Sequence, residues 1–363
     1  MHKILVVGAG KIGSLIAFLL SRSDAYHVIL VDASFKNRPD LDQITKDHPN
    51  LKTVIADISK PEALIQTLKK EGIQAIVSCL PYFLNSTVAK IANELNTHYF
   101  DLTEDTKTAS EVARLSATSD KVFIPQCGLA PGFISIVANH LMLHFPTLDT
   151  VKLRVGALPT NISNGLQYSL TWSTDGLINE YGNMCQAIHD GKEVLSHPLE
   201  DLEEIKIDGL TYEAFNTSGG IGSLSKTYLN KVKHISYKTI RYPGHCEKMR
   251  FLMNDLKLNH DRDTLKKILE NAIPKTFQDV VLVYVSVTGK QNNALIEENY
   301  VKKFYPKVID GITWSAIQLT TASSLCAVVD IVLQNESCFK GLIKQEQFTL
   351  DQITQNRFGN YYA

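Results

Sequence analysis

The chemistry easiest to read lies in the first third of the chain. Gly8-Ala9-Gly10-Lys11-Ile12-Gly13 has the spacing G-x-G-x-x-G, between an apolar run and an amphipathic one. In a strand–turn–helix setting the first glycine permits a tight turn and the second lets a pyrophosphate approach the backbone. The third lets helix and strand pack closely. A helix opening at Lys11 and Ile12 then presents free N–H groups and the positive end of its dipole to phosphates. Asp32 stands 19 residues beyond Gly13, at the end of the next apolar run. A carboxylate there accepts hydrogen bonds from adenosine ribose hydroxyls and repels a 2′-phosphate, so NAD is the expected cofactor and NADP the less favoured one. Lys36 and Arg38 lie close enough in sequence to weaken that preference. Asp57 and Ile58 follow the third run and are expected near the adenine. Cys79-Leu80-Pro81-Tyr82 follows the fourth, at the carboxyl edge where such sheets bind ligands.

These residues need a scaffold, and the pattern supplies one. Short β-branched runs at 3–7, 28–31, 53–56, 75–78, 99–102 and 122–124 alternate with helical stretches at 11–22, 61–70, 87–95 and 107–119. Strands separated by helix-length segments predict an α/β fold, a Rossmann-type doubly wound parallel sheet with helices on both faces. Gly128-Leu129-Ala130-Pro131-Gly132 reads as a hinge, followed by a helix over 133–144. Beyond it, longer strand patterns at 151–157, 167–172, 232–241, 280–288 and 294–304 do not alternate with helices. They predict a second, α+β substrate domain with a mixed sheet. A long helical pattern over 312–333 is expected to pack back on the first domain. The expected divisions are 1–126 for nucleotide binding, 127–309 for substrate and dimerisation, and 310–363 for the returning C-terminal segment.

Bulk properties narrow the partners. A net charge of −1 removes the electrostatic case for nucleic acid or an anionic membrane surface. Six scattered cysteines with no C-x-x-C pair read as reduced thiols, neither a disulfide framework nor a zinc site. The first apolar run already reads as a strand, so no targeting peptide is expected. The apolar stretch 322–333 contains Asp330 and is too short to span a bilayer. A cytoplasmic address follows, and the sequons at Asn85, Asn161 and Asn216 are expected to be chance matches. His140 and His144 have i, i+4 spacing but no third ligand nearby, so no metal is expected.

Further segments carry a family likeness. With the opening GAGKIG, the segments SCLPY at 78–82, CGLAPG at 127–132, NTSGG at 216–220 and YKTIRYPGH at 237–245 occur in order along nearly the whole chain. Together they resemble the saccharopine dehydrogenase-like family, most closely its lysine 6-dehydrogenase branch. Ala130 stands where saccharopine-forming relatives tend to carry an acidic residue, which favours the lysine-oxidising branch. The resemblance implies NAD-dependent oxidation of an amine carbon in a lysine-like amino acid, and usually a homodimer. Two other readings stay open. One is a saccharopine or carboxynorspermidine dehydrogenase, and the other is a regulator that binds NAD without turnover.

Amine oxidation of this kind sets three demands: deprotonation of the amine, presentation of the carbon to the nicotinamide, and anchorage of the zwitterionic end. A carboxylate anchor calls for the planar fork of an arginine. Arg241, just before Pro243-Gly244, is the candidate, with Arg154 and Arg250 behind it. Asp101, Glu104 and Asp105 follow the fifth strand and are candidates for the ammonium. His245 is the expected base, because an ordinary imidazole titrates near operating pH. Thr217 and Ser218, beside Gly219-Gly220, are expected to bring hydroxyls and N–H groups to the substrate. Cys127 is expected to be buried and inert.

Overall fold

Strand β1 (His2–Val7) is apolar on both faces: Ile4 and Val6 are as fully buried as Leu5. Such a run needs helices on each side of the sheet. In the computed structural model, which describes residues 1–36, 44–45 and 48–363, the chain divides into two units. One comprises Met1–Leu129 with Thr321–Ala363, the other Ala130–Thr320. Arg38 lies outside the described residues.

The first unit adds β2 (Tyr26–Asp32), β3 (Leu51–Ile55), β4 (Ala75–Ser78), β5 (His98–Asp101) and β6 (Val122–Ile124). Its sheet runs 3-2-1-4-5-6 and is parallel throughout. A seventh strand, Gly341–Leu342, comes from the C-terminal segment and pairs parallel with β6. Helices α1 (Lys11–Ser21), α2 (Pro61–Leu68), α3 (Tyr82–Glu94) and α4 (Thr106–Ser116) connect the strands. Leu5, Val7, Ile76 and Phe123 pack with Leu64, Val88, Ile91 and Val112 in one core cluster. Helix α3 begins five residues before the predicted 87, because Pro81 acts as its N-cap rather than as a break.

The second unit is built on an eight-stranded mixed sheet. It opens with helix α5 (Phe133–Met142) and strand β7 (Thr147–Pro159). Helix α6 (Thr174–Gly182), the hairpins β8 (Cys185–His189) with β9 (Lys192–Ser196) and β10 (Glu203–Ile207) with β11 (Leu210–Asn216), and β12 (Val232–Arg241) follow. Helices α7 (His245–Arg250) and α8 (Arg262–Ala272) precede β13 (Asp279–Gln291) and β14 (Ala294–Phe304). The main path is β10-β11-β12-β7-β13-β14, with β12 and β7 parallel and the rest antiparallel.

Two expectations need correction. Residues 167–172 form no ladder: Tyr168 and Leu170 enter a helical core, and Leu170 N–H donates to the Pro274 carbonyl at 2.9 Å. The late helical pattern resolves into a strand, Ile312–Trp314, and helix α9 (Ala316–Gln334). At 19 residues with mean hydropathy 1.7, α9 is long and apolar enough to cross a membrane, contrary to the shorter reading. Of its 18-residue apolar window, 89% is buried within the protein, as in a core helix.

Candidate active-site elements of the two units

In the first unit the sheet order reverses between β1 and β4, and ligands of open α/β sheets bind outside the carboxyl ends at such a point. The glycine turn after β1 and the Cys79 segment after β4 meet there. Gly8 sits at φ +103°, and a Cβ on it would stand 3.0 Å from the carbonyl carbon and oxygen of Cys79. A Cβ on Gly13 would fall on the Gly8 carbonyl oxygen and 3.0 Å from Cys79 Cβ. Packing therefore demands both glycines. Gly10 differs, because nothing lies within 4 Å of where its Cβ would stand. That space, at the N-cap of α1, is room for a pyrophosphate against bare backbone, so the loop fits a dinucleotide. Lys11 and Ile12 occupy the first turn of α1 as expected.

Asp32 closes the cradle. Its Oδ2 accepts the Ala9 N–H at 2.7 Å and its Oδ1 the Ser34 N–H at 3.1 Å, which fixes the carboxylate beside the turn. Asp57 is exposed beyond β3, and hydrogen bonds from Ser59 hold its carboxyl below the usual range. Ile58, expected beside it, turns its side chain into the core cluster instead. Cys79 N–H donates to the Val7 carbonyl at 2.8 Å, and Leu80 packs against the Gly8 turn. Pro81 and Tyr82 open α3 directly after this edge.

Three acidic residues expected to meet an ammonium separate in the structure. Asp101 is fully buried at the end of β5. Its Oδ1 accepts the N–H groups of Thr103 and Gln126 at 2.9 and 3.0 Å, and its Oδ2 the Tyr99 hydroxyl at 2.8 Å. Burial pushes its carboxyl up to about 6, against the pull of those hydrogen bonds. Asp105 caps α4 through the Thr108 N–H at 2.7 Å. Glu104, between them, is half-buried. Cys127 is fully buried, its thiol pushed up by that burial, and Gln345 of the C-terminal segment donates to its sulfur at 3.3 Å.

The second unit gathers a different set. Strand alternation puts Tyr237, Thr239 and Arg241 on one face of β12. Three arginine or lysine side chains are buried among the described residues: Arg154, Lys238 and Arg241. Glu203 takes the Arg154 Nε at 2.5 Å and the Lys238 Nζ at 3.0 Å, and Asp201 takes Lys238 again at 2.8 Å. Among the described residues, no carboxylate stands within ion-pairing distance of Arg241. Its Nε donates to the Tyr181 hydroxyl oxygen at 2.8 Å and its Nη1 to the Ile240 carbonyl at 2.8 Å. The guanidinium lies 5.2 Å from the Tyr168 ring centre and 5.8 Å from that of Tyr181. A buried guanidinium so placed keeps donor capacity for an anion from outside.

His245 begins α7 and is fully buried. Its Nδ1 lies 2.8 Å from the Leu166 carbonyl and its Nε2 3.1 Å from the Tyr181 hydroxyl. A carbonyl can only accept, so Nδ1 carries the proton and Nε2 accepts from the phenol. Burial, then the nearby Arg241 charge, depress the imidazole to about 3. The expected base poised near operating pH is therefore corrected to a neutral imidazole. Glu213 braces the turn by accepting the Gly244 and Cys246 N–H groups at 2.7 and 2.6 Å. Ser218 joins through α6: its N–H donates to the Glu180 carbonyl at 2.9 Å and its hydroxyl to that of Asn179 at 3.3 Å. The buried Thr217 hydroxyl has no hydrogen-bond partner. Arg250, by contrast, is exposed.

Sequence reasoning missed Tyr168 and Tyr181. Tyr237 was quoted only within its motif, although period-two alternation with Arg241 marked it. His144 pairs with Glu298 at 2.7 Å rather than with a third ligand. Two of the sequons are closed off, Asn85 and Asn216 being buried, while Asn161 is exposed.

Strand order, glycine loop and second sheet unit together define the class, a dehydrogenase with an NAD(P)-binding domain followed by a mixed-sheet domain. Comparison with known proteins agrees. Residues 4–121 match the saccharopine dehydrogenase NADP binding domain and residues 128–359 the saccharopine dehydrogenase C-terminal domain. The chain belongs to the saccharopine dehydrogenase family of oxidoreductases. It resembles apo histidine-tagged saccharopine dehydrogenase (L-Glu forming) from Saccharomyces cerevisiae at TM-score 0.78 and 15% identity, covering 99% of this chain and 96% of that one. A probable dehydrogenase from Thermotoga maritima aligns at TM-score 0.49 and 9% identity, over 99% and 94% of the two chains. The DAP dehydrogenase of C. glutamicum, solved in complex with DAP, aligns at 0.49 and 10%, over 99% and 98%.

Proposed function

We propose that this chain is an NAD-dependent dehydrogenase that oxidises a C–N bond of lysine or a lysine-like amino acid, anchoring the α-carboxylate on Arg241. The supporting observation is that, among the buried arginine and lysine side chains described, Arg241 alone forms no ion pair, the buried Glu180 reaching it only through the field of its charge. A single such cation suits a substrate with one carboxylate at its buried end. A saccharopine-like substrate would call for more, yet Arg154 and Lys238 are already neutralised by Glu203 and Asp201.

Bound NAD supplies the hydride acceptor, and the residues of the chain bind and orient. Thr217 offers a hydroxyl to the substrate, and Ser218 holds that loop against α6. Asp101 fixes the end of β5 through its buried hydrogen bonds. Neutral His245 holds the Tyr181 hydroxyl that in turn orients Arg241. The preference for NAD over the NADP of the family domain's name rests on the Asp32 carboxylate, fixed where a 2′-phosphate would meet it. A cytoplasmic address suits six free cysteines. A homodimer suits the exposed Leu295 and Val301 on edge strand β14.

The experiment is reduced-nicotinamide formation with purified protein, each of NAD and NADP, and L-lysine or saccharopine. Turnover of lysine with NAD is expected, and Asp32→Ser should raise the NADP-to-NAD ratio. Turnover of saccharopine alone would move the reading to the saccharopine branch. Tight NAD binding with no turnover of either, or of polyamine substrates, would favour the regulator.

A further inference from the structure

A separate cluster of ligand-type side chains stands on the sheet of the Ala130–Thr320 unit. Strand β8 ends at His189 and β9 begins at Lys192, so Asp190-Gly191 is the turn of a two-residue hairpin. Both turn residues have positive φ, 49° and 76°, as a type I′ turn requires. Strand β8 pairs antiparallel with β12 at Ile188↔Ile235, which sets His189 across from His234 one step further on. The two rings stand 4.7 Å apart between centres. The Asp190 carboxylate reaches both, with Oδ2 3.3 Å from His189 Nδ1 and Oδ1 3.6 Å from His234 Nε2. One ligand atom from each of the three residues lies within 4.8 Å of the other two.

The two imidazole–carboxylate separations, one to each oxygen of Asp190, fall where a metal ion needs them, and closing the 4.8 Å set onto one ion takes only small side-chain rotations at this exposed turn. With bonds of about 2.0–2.2 Å, a tetrahedral centre holds its ligand atoms roughly 3.3–3.6 Å apart. The backbone beneath is braced: Gly191 N–H donates to the Lys233 carbonyl at 2.9 Å, and Asn230 N–H to the Gly191 carbonyl at 3.1 Å. Turn and strand are thus already held in the register that brings the ligands together. Two imidazoles with one carboxylate suit zinc and its transition-metal neighbours, whereas magnesium and calcium favour oxygen ligands. The side chains are 68%, 73% and 34% exposed for His189, Asp190 and His234, which leaves a fourth position open to water.

We propose that His189, Asp190 and His234 form a binding site for a divalent transition ion of the zinc class, which clips the β8–β9 hairpin to β12. The site is independent of the dehydrogenase reading, because none of the three residues enters the anchor around Arg241 or the nucleotide cradle.

The test uses tag-free, metal-stripped full-length protein, titrated calorimetrically with zinc chloride and, in parallel, with magnesium chloride. One zinc per chain is expected, with no comparable magnesium binding and a zinc-dependent rise in Tm. His234→Ala and Asp190→Asn should weaken zinc by more than the roughly 10–100-fold that loss of an outer partner costs, and should abolish the Tm rise. His140→Ala, which breaks the other histidine pair of the unit, should change neither. His189→Ala serves as the further variant should one of the first two fail to fold by circular dichroism. Absence of stoichiometric zinc binding by the wild type, undiminished binding by the His234 and Asp190 variants, loss in His140→Ala, or equal magnesium binding would each overturn the proposal.

Discussion

Arg241 donates its Nε proton to the hydroxyl oxygen of Tyr181 at 2.8 Å, and among the described residues no carboxylate stands within ion-pairing distance of that guanidinium. The same oxygen lies 3.1 Å from His245 Nε2, so one phenol both accepts from the cation and donates to the imidazole. A guanidinium held directly by a neutral phenol, with the buried Glu180 acting on it only through the field of its charge, keeps donors for an incoming anion. Had Tyr181 been a glutamate, the pair would have been closed. That difference separates Arg241 from Arg154, which Glu203 neutralises.

A carboxylate anchor predicts a substrate-side signature. Arg241→Ala should raise KM for L-lysine by roughly 10–100-fold, as loss of a charge-assisted hydrogen-bonded pair implies. A diamine lacking the carboxylate should turn over poorly in the wild type and be unaffected by the substitution. Steady-state kinetics with both compounds check this, and equal losses for both would mean Arg241 shapes the fold rather than holding the substrate.

Tyr181→Phe removes the shared hydroxyl and leaves the Arg241 Nε–H and the His245 Nε2 without a protein partner. Stability should fall by about 1–3 kcal/mol, the cost of stranded buried polar groups. KM for lysine should rise while NAD affinity stays constant, since the nucleotide cradle belongs to the other unit. Urea unfolding and NAD titration separate the two effects.

The first unit was the more legible because both faces of its sheet are covered, which leaves continuous apolar runs. Strands β4 and β6 match the predicted 75–78 and 122–124 end to end. In the second unit 232–241 and 294–304 also match, yet the hairpins β8–β9 and β10–β11 were not read. Strand β9 is exposed along almost all its length, Val194 and Leu195 included, so nothing alternates there, while β10 alternates Ile205 and Ile207 with Glu204 and Lys206 over only five residues. Tyr181 was invisible for the opposite reason. Its helix α6 is buried from Thr174 through Tyr181 except at Asp175, and it therefore carries no amphipathic stripe. Arg241 and His245 were legible as residue types. Their charge states were not, because those depend on which cations Glu203 captures and on burial that only the tertiary fold creates.

The glycine loop offers a contrast between two similar substitutions. Gly10 has φ −67° and ψ −172°, which any residue adopts, and open space at its Cβ position. Gly10→Ala should fold with stability unchanged to within about 0.5 kcal/mol, yet weaken NAD binding at least tenfold by filling the pyrophosphate approach. Gly13→Ala drives a methyl onto the Gly8 carbonyl and should cost about 1–3 kcal/mol of stability as well, the usual result of overpacking. Thermal unfolding beside NAD titration tests the pair, and unchanged NAD affinity in Gly10→Ala would place the phosphates elsewhere.

The depressed imidazole of His245 makes a prediction about pH with a definite sign. An unfolded histidine takes up its proton near 6.5, whereas the folded site refuses it until about 3. Above 6.5 neither state holds the proton, so the contribution of His245 to stability is complete and flat. As pH falls below 6.5 the unfolded chain gains a proton that the native state does not, and stability drains away towards pH 3. Between pH 7.5 and 5.0 the wild type should lose about 2 kcal/mol by this route. A His245→Gln variant, which has nothing to titrate there, should show a correspondingly shallower fall. The same neutrality means that His245 contributes no limb to the rate profile between pH 5 and 8. Urea unfolding at the two pH values, with kcat/KM measured across the range, tests both halves. An inflection near 6.5 that vanishes in His245→Gln would show that the imidazole does exchange its proton with the reaction, and would restore it as the base.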